Sequence, residues 1–162
     1  MLKKIYIISF IGLLVDQISK IIIDKILNIN SSIKVIDSFF NITYVRNTGA
    51  AWGMFSNNTL LLALISIIFL YFIIKFINEN IKDFNNLNAV SFGFIIGGLI
   101  GNLIDRLFRT YVIDFFDFNI FGYDFPVFNI ADILIVLAVL LLIIESFMGV
   151  DKNGSRRRKE KN

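Results

Sequence analysis

The sequence predicts an all-α membrane protein of four transmembrane helices that carries a small extracytoplasmic β-hairpin or sheet. Three observations predict it. Apolar residues make up 56% of the chain, and a mean hydropathy of +0.73 is too high for an ordinary water-soluble globule. Charged residues, 18% of the total, fall in blocks between long apolar runs and are not interspersed along helix faces. Four of those runs reach about twenty residues, the length that crosses a hydrocarbon layer of roughly 30 Å.

The predicted spans are 5–23, 59–77, 88–107 and 128–148, and at 162 residues the chain is read as one domain. The first span, after Lys3 and Lys4, begins like a cleavable signal peptide. No small-x-small site follows it, so it is read as retained. In the segment after it, Ile33 to Ile36 is β-branched around Lys34, and Phe40, Ile42 and Tyr44 alternate with Asn41, Thr43 and Val45, the pattern of a hairpin. NTGAAWGMF at 47–55 reads as a tight turn leading into an interfacial aromatic anchor at Trp52 and Phe55. Within the third span Gly97, Gly98 and Gly101 permit close helix packing, and Gly101 would let the adjacent Asn102 approach a neighbouring helix. Glu145, near the end of the fourth span, is read as a solvated boundary residue.

Lys152, Arg156, Arg157, Arg158, Lys159 and Lys161 lie in the tail 149–162, directly behind a span. There they act as a topological anchor and not as a nucleic-acid patch. Together with Lys3, Lys4, Lys75 and Lys82 they put ten of the sixteen basic residues on one side, which the positive-inside rule makes cytoplasmic. Both termini are then inside, with 24–58 and 108–127 outside and a short inner loop at 78–87.

The chain contains no His and no Cys, which excludes a Ser-His-Asp triad, a Cys nucleophile, His- or thiolate-ligated metals and disulfides. Any acid-base chemistry must come from Asp, Glu, Lys or Tyr. The costly intramembrane polar residues all fall towards the outer leaflet: Asp16 and Lys20 in the first span, Asn102, Asp105 and Arg106 at the end of the third, Asp114 just beyond, and Asn129 and Asp132 opening the fourth. Such groups are usually paired or functional. Each also has a plain structural reading. Asp16 with Lys20, and Asp105 with Arg109, are spaced i, i+4 as helix ion pairs are; Asn129 and Asp132 fit an N-cap with an acid at the third helical position. Asp114, between Ile113 and Phe115, gains nothing from burial on its own.

Five ordered motifs then carry a resemblance that covers almost the whole chain: DQISK at 16–20, RNTGAAWG at 46–53, GGLIGNLIDR at 97–106, VIDFF at 112–116 and FNIAD at 128–132. The chain resembles lipoprotein signal peptidases, the signal peptidase II family. Trp52 stands where Phe is usual in the family and retains an aromatic ring. The resemblance implies an aspartic endopeptidase of the bacterial cytoplasmic membrane that needs no metal or organic cofactor. Its substrate would be a prolipoprotein whose Cys carries a diacylglyceryl group, cut just before that Cys at the outer face. It implies a catalytic dyad of Asp114 and Asp132 sharing a proton, with Asn47, Asn102, Arg106 and Asn129 holding substrate or orienting the dyad, and Asp16 and Lys20 supporting it from the first helix. The partners expected are that substrate and membrane lipid, with no nucleic acid; the oligomeric state stays open, with a monomer favoured. The rival from another class is a small four-span transporter or proton relay, whose buried acids would bind cations or protons but would be expected nearer the midplane. A presenilin-like protease would need a Gly-x-Gly-Asp motif, which is missing, and a scaffold would use the same polar groups only to hold helices together.

Overall fold

The computed structural model describes residues 1–50, 54–55 and 57–159, with 148–159 given as backbone alone. Trp52 and the basic side chains of the tail therefore lie outside the described residues. Eight elements follow in order: α1 Leu2–Ile26, β1 Ser32–Ile36, β2 Phe40–Asn47, α2 Thr59–Asn80, α3 Asn86–Phe108, β3 Val112–Ile120, β4 Tyr123–Asp124 and α4 Ile130–Lys159. All four helices are long and apolar enough to cross a membrane. Large apolar side chains such as Phe10, Leu60, Phe72 and Val136 stand exposed on them, as they do where lipid is the solvent.

α3 is the central helix: 56% of its apolar window is buried, against 28% or less in the others, and it contacts α1, α2 and α4. Its glycines make this possible. A β-carbon at Gly97 would stand 2.7 Å from the Ser9 carbonyl oxygen of α1, and one at Gly98 would stand 2.6 Å from the Ala131 carbonyl oxygen of α4. The backbones approach because these positions carry no side chain. On α1 the buried residues are Ile5, Ser9, Gly12, Asp16, Lys20 and Ile23, a stripe advancing by three or four residues that faces the bundle. Apolar packing between the helices gathers around Phe92, Ile96, Ile77 and Ala138.

Helix boundaries depart from hydropathy where capping intervenes. α3 starts at Asn86 because the Asn85 side chain accepts from the Leu87 and Asn88 amides at 2.7 and 3.0 Å, while the Asn88 side chain accepts from the Asn85 amide at 2.8 Å. This reciprocal cap satisfies amides that a helix start leaves orphaned. Glu145 accepts a hydrogen bond from Asn85 at 3.1 Å, so it helps tie α4 to that loop. The fourth helix begins at Ile130 and not at 128, since the Phe128 backbone bridges Phe116 in β3.

The expected hairpin is present as β1 and β2, and it is part of a larger sheet in the order β1-β2-β3-β4, antiparallel throughout. The segment 108–127 supplies β3 and β4, which its sequence conceals: VIDFFDFN places apolar residues on both faces and gives no clean alternation. One face of the strands buries Tyr44, Ile113 and Phe115 against Ile23 of α1. The Tyr44 hydroxyl donates to Asp24, and the Arg46 guanidinium lies 4.5 Å above the Tyr111 ring, so the sheet is anchored to the end of α1 by more than apolar contact. A bulge between Ile42 and Val45 sets the register that pairs Val45 with Asp114.

The helix contacts make a direct prediction. Gly98→Val should destabilise the protein by about 1–3 kcal/mol through overpacking against α4, read as a lowered thermal unfolding midpoint in detergent. An unchanged midpoint would show that α3 and α4 can separate without cost.

Candidate active site

The polar residues singled out from the sequence converge at the sheet end of the bundle. Asp16, Lys20, Asp105 and Asn129 are each 0% exposed, and Asp114 is 2% exposed. Taking such groups out of water is costly unless each is paired and hydrogen-bonded, and no described buried side-chain polar atom lacks a partner.

Lys20 lies at the root of this arrangement. Its ammonium contacts Asp16 Oδ2 at 2.9 Å, Asp105 Oδ2 at 3.0 Å and Asn102 Oδ1 at 2.9 Å, one acceptor for each of its three N–H bonds. Asp16 and Lys20 thus form the expected i, i+4 pair, and they also join α1 to α3. The other expected pair, Asp105 with Arg109, is present too, so two cations balance two anions. Gly101 leaves room for this cluster, because a β-carbon there would collide with the Asp16 carboxylate.

Both carboxylates of the cluster also hold backbone. Asp105 Oδ2 accepts the Ile113 amide at 3.2 Å, and Asp16 Oδ1 accepts the Ala131 amide at 3.0 Å. Ile113 directly precedes Asp114, and Ala131 directly precedes Asp132. Each buried acid therefore seats the peptide unit beside Asp114 or Asp132, two of the three acids that line the cavity.

That cavity has a volume of about 940 Å³ and is lined by Asn47, Arg106, Asp114 and Asp132 among largely apolar residues, including Phe125, Val127, Ile133, Val136 and Leu137. Asn129 links the two acids. Its Nδ2 donates to Asp114 Oδ1 at 2.6 Å, its Oδ1 accepts the Asp132 amide at 3.1 Å, and its own amide donates to Asp132 Oδ2 at 3.1 Å. The last two bonds form the N-terminal cap read from the sequence, with Asp at the third helical position. Asn102 donates to Asp132 Oδ1 at 2.9 Å and Asn47 donates to Asp114 Oδ2 at 2.8 Å. Arg106 reaches the Gly49 carbonyl at 3.4 Å, tying the chain after β2 to α3.

Asp114 is placed on β3 outside the spans, and its carboxyl is pushed up to about 7, first by burial and then by the charge of Asp132, against the opposing hydrogen bonds of Asn47 and Asn129. An acid so placed holds its proton up to near neutrality.

Residues 8–148 match the family model of signal peptidase (SPase) II. The chain belongs to the signal peptidase II family. It is a multi-pass membrane peptidase that removes signal peptides from lipoproteins, and this membership does not favour a transporter. Two solved structures, each described as a bacterial membrane enzyme, resemble it. One is 38% identical with a TM-score of 0.83, covering 94% of this chain and 92% of the other. The second is 40% identical with a TM-score of 0.78, covering 90% and 93% respectively.

Sequence reasoning passed over Gln17 as an individual residue, although it lies in DQISK. Its Nε2 is within 3.1 Å of both Asp16 Oδ2 and the Gly101 carbonyl and 3.3 Å of Asp105 Oδ1, while its Oε1 accepts from Arg109 at 3.4 Å. An amide in an apolar run at the i+1 position is a signal that pairing at i, i+4 does not capture.

The raised Asp114 pKa fixes a stability trend. The folded state binds this proton up to about pH 7, whereas an unfolded Asp releases it near 3.9. Stability is therefore undiminished below the unfolded value and falls as pH rises through that window. Between pH 4 and pH 8, wild type should lose as much as about 4 kcal/mol relative to Asp114→Asn, measured from unfolding midpoints of both proteins across that range. A constant difference would place the ionisation elsewhere.

Proposed function

We propose that the protein is an aspartic endopeptidase whose dyad is Asp114 and Asp132, acting on diacylglyceryl-modified prolipoproteins just before the lipidated Cys. The observation that carries this reading is that two acids from different elements line one cavity, cross-linked by Asn129, with Asp114 protonated near neutrality. Asp132 takes a proton from a water as its oxygen attacks the scissile carbonyl carbon, and Asp114 donates a hydrogen bond to the carbonyl oxygen. The tetrahedral intermediate then collapses: the C–N bond breaks, the nitrogen takes a proton from the dyad, and the signal peptide leaves as a carboxylic acid. One shared proton remains on the dyad, ready for the next cycle. Asn47, Asn102 and Asn129 orient the two carboxyl groups, Arg106 braces the Gly49 carbonyl beside the substrate, and Asp16 and Lys20 support the assembly from behind.

The cavity walls support a lipid-bearing substrate. Val136 and Leu137 line the cavity yet are exposed on α4, so its apolar side is continuous with the lipid-facing surface. A substrate chain can slide in along the membrane from that side. The excess of basic residues beyond the other ends of the helices supports cytoplasmic termini and a site at the outer face of the bacterial inner membrane.

Asp114→Asn and Asp132→Asn should each lower cleavage of a diacylglyceryl prolipoprotein by at least about 10²-fold while the protein stays folded, measured by mass shift of the product in detergent. Activity in wild type should fall on the alkaline side with an apparent pKa near 7, a value belonging to the coupled pair. Full activity in either variant removes that residue from the dyad. Because the chain has no Cys, a single cysteine in place of the exposed Val35 reports the orientation. An impermeant maleimide should label it from outside intact spheroplasts, and labelling only after lysis would invert the topology.

A further inference from the structure

An asparagine amide is nearly symmetric in shape, so its neighbours decide which end is donor and which acceptor. Around the two cavity acids the direction matters. Each carboxyl oxygen of Asp114 and Asp132 accepts one hydrogen bond: from Asn129 and Asn47 in the first, and from Asn102 and the Asn129 backbone in the second. If Asn102 were turned over, its Oδ1 would face Asp132 Oδ1, and a donor would be exchanged for a repulsion.

We propose that Lys20 is a positioning residue that fixes the direction of the Asn102 and Asn129 amides and so directs hydrogen-bond donors onto both acids of the dyad. The proposal rests on the dyad reading above. An ammonium has donors only, so the Asn102 atom 2.9 Å from Lys20 Nζ must be Oδ1, and Nδ2 is left pointing at Asp132 Oδ1, 2.9 Å away. The same Asn102 Oδ1 is 3.1 Å from Asn129 Nδ2. Asn129 must therefore present its amine on that side, and the second N–H of the amine reaches Asp114 Oδ1 at 2.6 Å. Asn129 Oδ1 is then turned to the Asp132 amide. One donor-only group, touching neither catalytic acid, thus sets the polarity of every side-chain bond along the path to both. Asp16 and Asp105 hold Lys20 in place from the other side, and Arg109 completes the charge balance on Asp105. Without the ammonium, Asp105 Oδ2 loses its cation and competes for the Asn102 amine, favouring the reversed amide.

The alternative is that Lys20 only neutralises buried carboxylates, and a charge-balanced variant separates the two. Asp16→Asn with Lys20→Met removes one charge of each sign, and Asn at position 16 can still accept the Ala131 amide. We expect this double variant to fold and to keep KM within about twofold, since the walls that hold substrate are untouched, while kcat falls at least about tenfold, the loss of a charge-assisted hydrogen bond. Wild-type kcat in the folded double variant would overturn the proposal. Should the double variant fail to fold, Asn102→Asp decides: it keeps an acceptor towards Lys20 and replaces only the donor towards Asp132, and unchanged kcat would likewise overturn it. Asp114→Asn is assayed alongside. If it is active, the dyad and this proposal both fall; if it is inactive beside a fully active double variant, only the positioning role falls.

Discussion

The structure depends on one buried ammonium. Lys20, with no exposed surface, is stabilised only because Asp16, Asp105 and Asn102 occupy all three of its donors. Inside a bilayer such a charge is costly when alone, and the compensation draws α1 and α3 together at a fixed depth and rotation. Apolar packing could not do this, since lipid tails are as good a solvent for Ile and Leu as another helix is. The polar cluster specifies which faces meet, and the glycines of α3 let them meet closely.

The same cluster determines where Asp114 and Asp132 sit in the cavity wall. Asp16 and Asp105 use their remaining acceptor capacity on the Ala131 and Ile113 amides. In each case the next residue along the chain is an acid of the cavity. The position of the pair is thus set through backbone, by groups that are themselves locked by a salt bridge. Two carboxylates brought close repel once both are ionised, so holding them requires such reinforcement. A strand and a helix N-terminus are also suited to the task, because both present short, stiff connections between main chain and carboxyl.

Much of this was legible in the sequence. The four spans followed from hydropathy and length, and the convergence of Asp16, Asn102, Asp114 and Asp132 followed from their depth once alternating orientation was assumed. The i, i+4 pairs were legible as local geometry, but their joining into one network was not, because the distance from Lys20 to Asp105 depends on how α1 and α3 cross. β3 was hidden for a related reason. Ile113 and Phe115 pack on one side while Phe116 and Phe118 stack against Phe40 and Phe128 on the other, so burial on both faces erased the alternation that reveals a half-exposed strand. The start of α4 was displaced because Phe128 is apolar enough for a span and yet pairs with the sheet.

The division between rigid and irregular elements gives the site its character. The hydrogen-bonded groups behind Asp114 and Asp132, namely Lys20, Asn102 and the Asn129 cap, belong to α1, to the central α3 and to the start of α4. The cavity walls are instead shared among the end of β2 and the residues after it, Asn47 to Ala50, the stretch 124–128 that runs from the end of β4 towards α4, and Ile133, Val136 and Leu137 of α4. Loops accommodate varied shapes at little cost, whereas proton transfer tolerates only small displacements of the groups involved. Both kinds of element border this one cavity. The fold places the hydrogen-bond network within the bundle and much of the cavity wall on the sheet and its connections.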